Sequence, residues 1–131
     1  MPDLKIKLAI LLSAVPFAVA ADPSLECGVG LGSQVEIADC VAEAEAVVDN
    51  VIKITLGFAM DAARELDEIT GREVAGPALE QGQSAWSTFR DAHCEYVGST
   101  FGGGSGTGIA IRSCRVELGR DRVTELMKLA Q

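Results

Sequence analysis

The sequence predicts an all-α fold, a small up-down-up three-helix bundle with a long first helix, a glycine-rich loop and two disulfide bonds. Three segments place apolar side chains three or four residues apart, which is the repeat of a helix with one buried face. No segment alternates apolar and polar residues over more than a few positions, as a half-buried strand would. Three helices joined by two connections follow an up-down-up path.

The first helix is predicted to begin behind Ser33, because Ser33-x-x-Glu36 has the pattern of a capping box. It is predicted to end at Thr70, with Gly71 in the left-handed position that closes many helices. Residues 21–32, which contain a proline and several glycines, are expected to be irregular. The predicted inward-facing residues of this helix are Val41, Ala44, Val48, Val51, Thr55, Phe58, Ala62, Leu66 and Ile69.

The second helix is predicted to begin at Pro77 and to end at Gly98, and the third to span residues 109–130. Residues 98–108 are rich in glycine and are expected to form the loop between them. The inward side of the second helix is predicted to hold Leu79, Gln83, Trp86, Phe89, His93 and Tyr96. That of the third is predicted to hold Cys114, Leu118, Arg122 and Leu126, flanked by Val116, Val123 and Met127.

The N-terminal segment has the pattern of a secretory signal peptide. Lys5 and Lys7 precede an apolar run, and residues 18–20 have the small-x-small pattern of a cleavage site. The apolar run of about 12 residues is shorter than the ~20 that a spanning helix needs. We therefore expect residues 1–20 to be a signal peptide and residues 21–131 to be a single domain without a membrane span, periplasmic or secreted. Its four cysteines then favour two disulfide bonds.

The charge of the chain excludes some partners. There are 11 Lys and Arg against 19 Asp and Glu, a formal net charge of −8. Nucleic-acid binding needs a basic surface, and aromatic residues at 5% provide no platform for stacking bases. The acids are concentrated in residues 21–52, whereas the third helix is basic. Because the first and third helices of such a bundle run parallel, we expect these segments to lie near each other.

No motif points to catalysis, a metal or a cofactor. The glycine-rich loop has neither the Lys of a phosphate-binding loop nor the preceding strand of a dinucleotide fingerprint. His93 and Cys94 are adjacent on a helix and point about 100° apart, so they do not form a nucleophile–base pair. One histidine and no Cys-x-x-Cys leave no transition-metal site. We therefore predict a non-enzymatic protein with no metal and no cofactor.

Two sets of polar residues are candidates, one for binding a partner and one for an ion pair within the fold. Glu36, Asp39 and Glu43 fall on one face of the first helix, and this solvated face is our candidate surface for a protein partner. Arg90 follows Phe89 beside the apolar stripe of the second helix, so we expect its stem to be buried and its guanidinium to pair with a carboxylate. The candidate carboxylates are those of Asp61, Glu65, Asp121 and Glu125.

The second half of the chain resembles a known family. The pattern Gln83-x-x-Trp86-x-x-Phe89-Arg90-Asp91-x-x-Cys94 is followed by a glycine-rich stretch and by Cys114-x-x-x-Leu118-x-x-x-Arg122-x-x-x-Leu126. This arrangement resembles the LprI-like lysozyme-inhibitor family of exported bacterial proteins. Cys27 and Cys40 resemble the N-terminal cysteine pair of that family, and Gly119 stands where the family has a threonine.

The resemblance implies a small, helical, disulfide-bonded exported domain that binds another protein. We expect the bonds Cys27–Cys40 and Cys94–Cys114, although four cysteines allow three connectivities. The expected function is inhibition of a cationic cell-wall hydrolase such as lysozyme, because a mature chain with net charge −9 attracts a cationic protein. The alternative is a structural or adaptor module of the bacterial envelope with no hydrolase target. A hydrolase acting through first-helix carboxylates is a third reading, and it would need a carboxylate held in an apolar pocket.

Overall fold

The computed structural model describes residues 22–30 and 32–131, which form four helices. These are α1 (Pro23–Gly28), α2 (Gln34–Thr70), α3 (Ala75–Ser99) and α4 (Gly106–Leu129). The three long helices confirm the predicted all-α bundle, and no strand occurs within the described residues. The predicted signal peptide, residues 1–20, lies outside them.

The short helix α1 occupies part of the segment that was expected to be irregular. Asp22 Oδ1 accepts the backbone N–H of Ser24 at 2.8 Å, and Pro23 takes the first position of the helix. An Asp cap followed by proline is a favourable helix start. The expectation was wrong because the glycines after Cys27 end this helix without preventing it.

The predicted limits of the longest helix, α2, are confirmed. At its start, Ser33 Oγ accepts the N–H of Glu36 at 3.2 Å while Glu36 Oε2 accepts the N–H of Ser33 at 3.0 Å. At its end, Gly71 adopts φ 66° and ψ 23°, a left-handed conformation that favours glycine. The helix therefore has 37 residues and a length of about 55 Å.

Asp67 of α2 caps the next helix. Its carboxylate oxygens accept the backbone N–H groups of Val74, Ala75 and Gly76 at 3.1, 2.8 and 2.9 Å. These bonds satisfy amides that a helix start leaves unpaired. Helix α3 consequently begins at Ala75, two residues before the predicted start at Pro77.

The inward-facing side of α2 differs from the predicted stripe. Val41 and Thr55 are buried as predicted, but the other buried positions are Glu45, Ile52 and Ala59. Phe58, Leu66 and Ile69, which were predicted to face inward, are exposed. Apolar residues lie on two sides of this helix, so their three-to-four spacing fits two registers. Packing against α4 selects the register that buries Ile52 and Ala59 together with Leu126.

The second half of α3 is also rotated relative to its prediction. Arg90 is half-buried and Cys94 and Gly98 are buried, whereas Phe89, His93 and Tyr96 are exposed. The physical reason is the bond between Cys94 and Cys114, which turns the Cys94 side of the helix towards α4. The predicted core positions of Phe89, His93 and Tyr96 were therefore wrong. The rings of Phe89 and His93 stack on each other with centroids 5.3 Å apart.

On α4, Leu126 and Val116 are buried as predicted, whereas Met127 is exposed. At Gly119, α4 packs closely against α2. A Cβ atom built at this position would overlap Val48 Cγ1 and would lie 3.3 Å from Ile52 Cδ1. The missing side chain therefore permits close packing of the two helices.

Both disulfide bonds have the predicted connectivity. Cys27–Cys40 joins α1 to α2 with a Cα–Cα distance of 5.8 Å, and Cys94–Cys114 joins α3 to α4 with 5.5 Å. The bonds thus hold the shortest helix and the glycine-containing connection between α3 and α4 to the bundle. Among the described helices, none combines the length and the apolar character required to cross a membrane.

Candidate functional site

Two arginines of the sequence motif, Arg90 and Arg122, lie beside Trp86, between the three long helices. The Trp86 ring packs against the cluster of Ile52, Ala59 and Leu126. The guanidinium carbons of Arg90 and Arg122 lie 5.0 and 5.7 Å from the ring centroid. Such distances allow favourable cation–π contacts. The motif therefore builds a contact that holds α3 and α4 against the core.

Each of these arginines has a fixed acceptor. Arg90 Nη1 donates to Asp49 Oδ1 at 2.7 Å. Arg122 Nε donates to Gln83 Oε1 at 2.9 Å, and its Nη1 donates to Glu125 at 3.0 Å. The half-buried position and the ion pair predicted for Arg90 are present.

The predicted acceptors of Arg90 were wrong. Its partner, Asp49, lies near the middle of α2, whereas Asp61 and Glu65 lie three to four turns further along that helix. The pairing depends on how far the antiparallel helices α2 and α3 are shifted along each other, which their sequences do not state.

The remaining motif residues occupy varied positions. Asp91 Oδ1 lies 3.4 Å from Arg115 Nε at the surface of α3. Phe89 is exposed, Leu118 is half-buried and Leu126 is fully buried. The motif thus consists mainly of groups that pack or pair within the chain, and Phe89 is the apolar member that remains available to solvent.

A buried carboxylate that we did not single out lies between α2 and α4. Glu45 is 9% exposed, and Arg112 and Arg115 approach its two oxygens at 2.5 and 3.5 Å. Near the N-terminus, Arg120 forms two bonds to the carboxylate of Glu26 at 2.9 and 2.8 Å. These pairs confirm that the basic helix α4, which the sequence predicted as the third helix, lies beside the acidic segment. The sequence feature that could have predicted this buried carboxylate is the position of Glu45, one helical turn after buried Val41.

The predicted partner-binding residues form an exposed acidic face at the start of α2. Glu36, Asp39 and Glu43 are all exposed, and their spacing places them on one side of the helix. The Glu36 carboxylate accepts the N–H and the hydroxyl of Ser33 at 3.0 and 2.8 Å, and these hydrogen bonds lower its pKa. Within residues 22–30 and 32–131, none of the three forms a salt bridge.

Glu36, at the start of α2, does not have the environment of a general acid. The pKa of Glu36 is lowered, whereas an acid catalyst needs a raised one. The pKa of Glu117 on α4 is raised, first by burial and then by the nearby charge of Asp22. Glu117 and Asp22 line one cavity of about 410 Å³, but Asp22 accepts both the N–H and the hydroxyl of Ser24. No group of three His, Cys, Asp or Glu side chains among the described residues is arranged to hold a metal ion.

Comparison with known proteins identifies a family whose sequence pattern this chain matches. The family model described as "Lysozyme inhibitor LprI" matches residues 28–126. An uncharacterized protein of Rhizobium meliloti (strain 1021) is 28% identical over 129 residues, which cover 95% of this chain and 92% of that protein. No solved structure matches the chain.

Proposed function

The chain belongs to the LprI lysozyme-inhibitor family, and from this premise we propose that it is an exported, non-enzymatic protein that binds and inhibits a cationic cell-wall hydrolase such as a lysozyme. In this proposal residues 1–20 are the signal peptide and residues 21–131 are the mature domain. Two disulfide bonds fit an exported protein, since such bonds persist in oxidising compartments. The mature protein is then periplasmic or secreted.

The observation that carries the proposal is that the arginines of α3 and α4 are neutralised within the described part of the chain, whereas the acidic face of α2 is not. The arginines of α3 and α4 are paired within the chain, because Arg90, Arg112, Arg115, Arg120 and Arg122 all contact carboxylates. The acidic face of α2 has no such partner among the described residues. An unneutralised acidic face attracts a cationic protein and raises the rate at which the two meet.

One observation favours the alternative, a structural or adaptor module of the envelope. The motif residues Gln83, Trp86, Arg90 and Arg122 contact one another or the core. The motif therefore defines a scaffold and assigns no contact to a hydrolase. A scaffold of this kind can present a surface to any protein, so measurements with a hydrolase decide between the two functions.

The deciding experiment measures inhibition of a strongly basic c-type lysozyme by the exported, disulfide-bonded protein. We expect inhibition that weakens with salt and that is reduced in the triple variant Glu36→Gln, Asp39→Asn, Glu43→Gln. Glutamine at position 36 preserves the capping box, so folding is retained. The matched control is Glu73→Gln, Glu80→Gln, Asp121→Asn, which removes the same charge from exposed positions elsewhere.

The outcomes separate the proposals. Full inhibition by the control and weak inhibition by the acidic-face variant support our assignment. Equal loss in both variants means that net charge, and not this face, is responsible. No inhibition and no binding by the wild-type protein at low salt would reject the lysozyme-inhibitor function and leave the adaptor function.

A further inference from the structure

An apolar surface lies exposed in the middle of α2. Val47, Ile54 and Phe58 are 62%, 50% and 61% exposed. They are seven and four residues apart, so they lie on the same side of the helix. We call these three residues the apolar ridge. Exposed apolar side chains scattered singly are normal, whereas apolar side chains grouped on one exposed face are typical of an interaction surface.

A groove continues the apolar ridge towards α4. Phe58 and Met127, which is 57% exposed, both line this groove, whose volume is about 500 Å³. Buried Thr55 contributes to its lining, together with the carboxyl-bearing residues Asp61 and Glu65. The groove thus combines apolar side chains of two helices with two acidic groups, which is a suitable environment for the stem and the charged end of a lysine or arginine.

Acidic residues lie at both ends of the apolar ridge. Glu43 precedes Val47 by one helical turn, while Asp61 and Glu65 follow Phe58 by three and seven residues. All three acids are exposed, and no described basic side chain forms a salt bridge with them. The face therefore has an apolar centre with uncompensated negative charge on either side.

We propose that the apolar ridge, with the groove at Phe58, is the docking surface for a basic protein that presents an apolar patch between Lys or Arg side chains. The inference rests on the proposed function and adds to it the part of the surface that supplies affinity. In such an interface a few buried anchor side chains provide most of the binding energy, while the acids at its edges align the partner and accelerate association.

Charge argues against a second copy of this chain as the occupant. In a two-fold symmetric contact the same surface appears on both sides. An antiparallel pairing of two ridges brings Glu43 of one copy towards Asp61 and Glu65 of the other, and a parallel pairing aligns each acid with its own equivalent. Both arrangements bring like charges together, whereas a basic partner neutralises them.

The test compares two double variants of the exported, disulfide-bonded protein. Ile54→Ala/Phe58→Ala removes the centre of the apolar ridge, and Phe89→Ala/Tyr96→Ala removes two comparably exposed side chains from α3. All four positions are exposed, so both proteins should fold, which thermal melting checks. Binding to a strongly basic c-type lysozyme is measured by calorimetry. We expect the ridge variant to bind about tenfold or more weakly, since aromatic anchors dominate interfaces, and the α3 variant to bind like wild type.

A second probe separates failure of this inference from failure of the proposed function. A basic amphipathic peptide of Lys and Leu is titrated into the wild-type protein while methyl NMR signals of Val47 and Ile54 are followed. If lysozyme does not bind but the peptide shifts these signals selectively, the proposed function fails and the docking surface stands. Equal lysozyme affinity of wild type and the ridge variant overturns the docking surface, as does the absence of selective shifts when lysozyme does not bind. A wild-type dimer that the ridge substitutions dissociate would also overturn it, in favour of a second copy.

Discussion

Replacing Arg90 by alanine should destabilise the fold. Arg90 joins α3 to α2 through its 2.7 Å bond to Asp49, and it also contacts the Trp86 ring on its own helix. Its side chain is 14% exposed and that of Asp49 is 38% exposed. Arg90→Ala therefore removes an ion pair that is buried on one side and partly hydrated on the other.

The exposed fractions of the Arg90 and Asp49 side chains limit how much stability the substitution removes. Breaking a fully buried pair costs about 3–5 kcal/mol, whereas an exposed pair contributes about 0–1 kcal/mol. Asp49 is rehydrated when its partner is removed, so the cost lies between these limits, and loss of the Trp86 contact adds about 0.5–1 kcal/mol. We expect a loss of about 2–3 kcal/mol in the free energy of unfolding, which lowers the Tm by about 8–12 °C in a domain of this size.

Thermal and denaturant unfolding measure this loss, with two controls. Arg72→Ala removes an exposed arginine that has no salt bridge among the described residues and should cost less than about 1 kcal/mol. Arg90→Lys should recover only part of the stability, because lysine lacks the planar guanidinium. In a double-mutant cycle, Asp49→Ala and Arg90→Ala should be less than additive. An Arg90→Ala protein that melts like wild type but has lost binding to its partner would refute the structural role and place Arg90 in the binding site.

Three further predictions concern α4 and the turn before α3. Gly119→Ala should destabilise by about 1–3 kcal/mol through overlap with Val48, while Gly108→Ala in the same helix, where a Cβ meets nothing within 4 Å, should be neutral or stabilising in denaturant unfolding. Hydrogen bonds from the amides of Gly76 and Ala75 lower the pKa of Asp67. The ionised carboxylate therefore stabilises the fold above the pKa of the unfolded state, and this stabilisation is lost as pH falls through the folded pKa. Asp67→Asn should flatten this dependence of the free energy of unfolding on acid pH. Burial raises the pKa of Glu117, so its charged form destabilises the fold as pH rises through that pKa, and Glu117→Gln should stabilise at neutral pH but not in acid.

Each of these predictions has a contradicting result. Equal stability of the Gly119→Ala and Gly108→Ala proteins would mean that α2 and α4 do not approach closely at that position. If the Asp67→Asn protein loses stability in acid as the wild type does, the Asp67 carboxylate does not cap the start of α3. A Glu117→Gln protein that gains no stability at neutral pH would contradict the effect of burial on this carboxyl.

The local features of the fold were predictable from the sequence because each depends on a few neighbouring residues. The capping box of Ser33 and Glu36 and the left-handed Gly71 both follow from side-chain chemistry within one helical turn. The cysteine pairing followed from the family resemblance. The start of α3 was misplaced because its cap, Asp67, lies on the preceding helix, beyond any local pattern.

The orientation of the helices was only partly predictable. On α2, apolar residues on two sides allowed two registers, and the choice between Ile52 and Phe58 depends on where α4 packs. On α3, the information was present, because a disulfide at Cys94 requires that side of the helix to face α4 and thus excludes Phe89 from the core. A covalent constraint of this kind outweighs apolar spacing when the two disagree.

The candidate site was predictable where it depends on charge and not where it depends on packing. The exposure of Glu36, Asp39 and Glu43 follows from their common face. The apolar ridge was missed because its residue Phe58 was assigned to the core, and an exposed apolar face becomes visible only when the true register is known. The acceptor of Arg90 was missed for a similar reason, since it depends on the relative shift of two helices.

The association rate between the disulfide-bonded protein and a strongly basic c-type lysozyme, measured by stopped flow at several salt concentrations, tests the central claim most directly. Charge-guided association is screened over about 8 Å at physiological ionic strength. The acidic face predicts a rate constant that falls steeply as salt rises, with a lower rate and a weaker salt dependence in the triple variant of Glu36, Asp39 and Glu43. No association of the wild-type protein at low salt, or the same rate and salt dependence in both proteins, would contradict it.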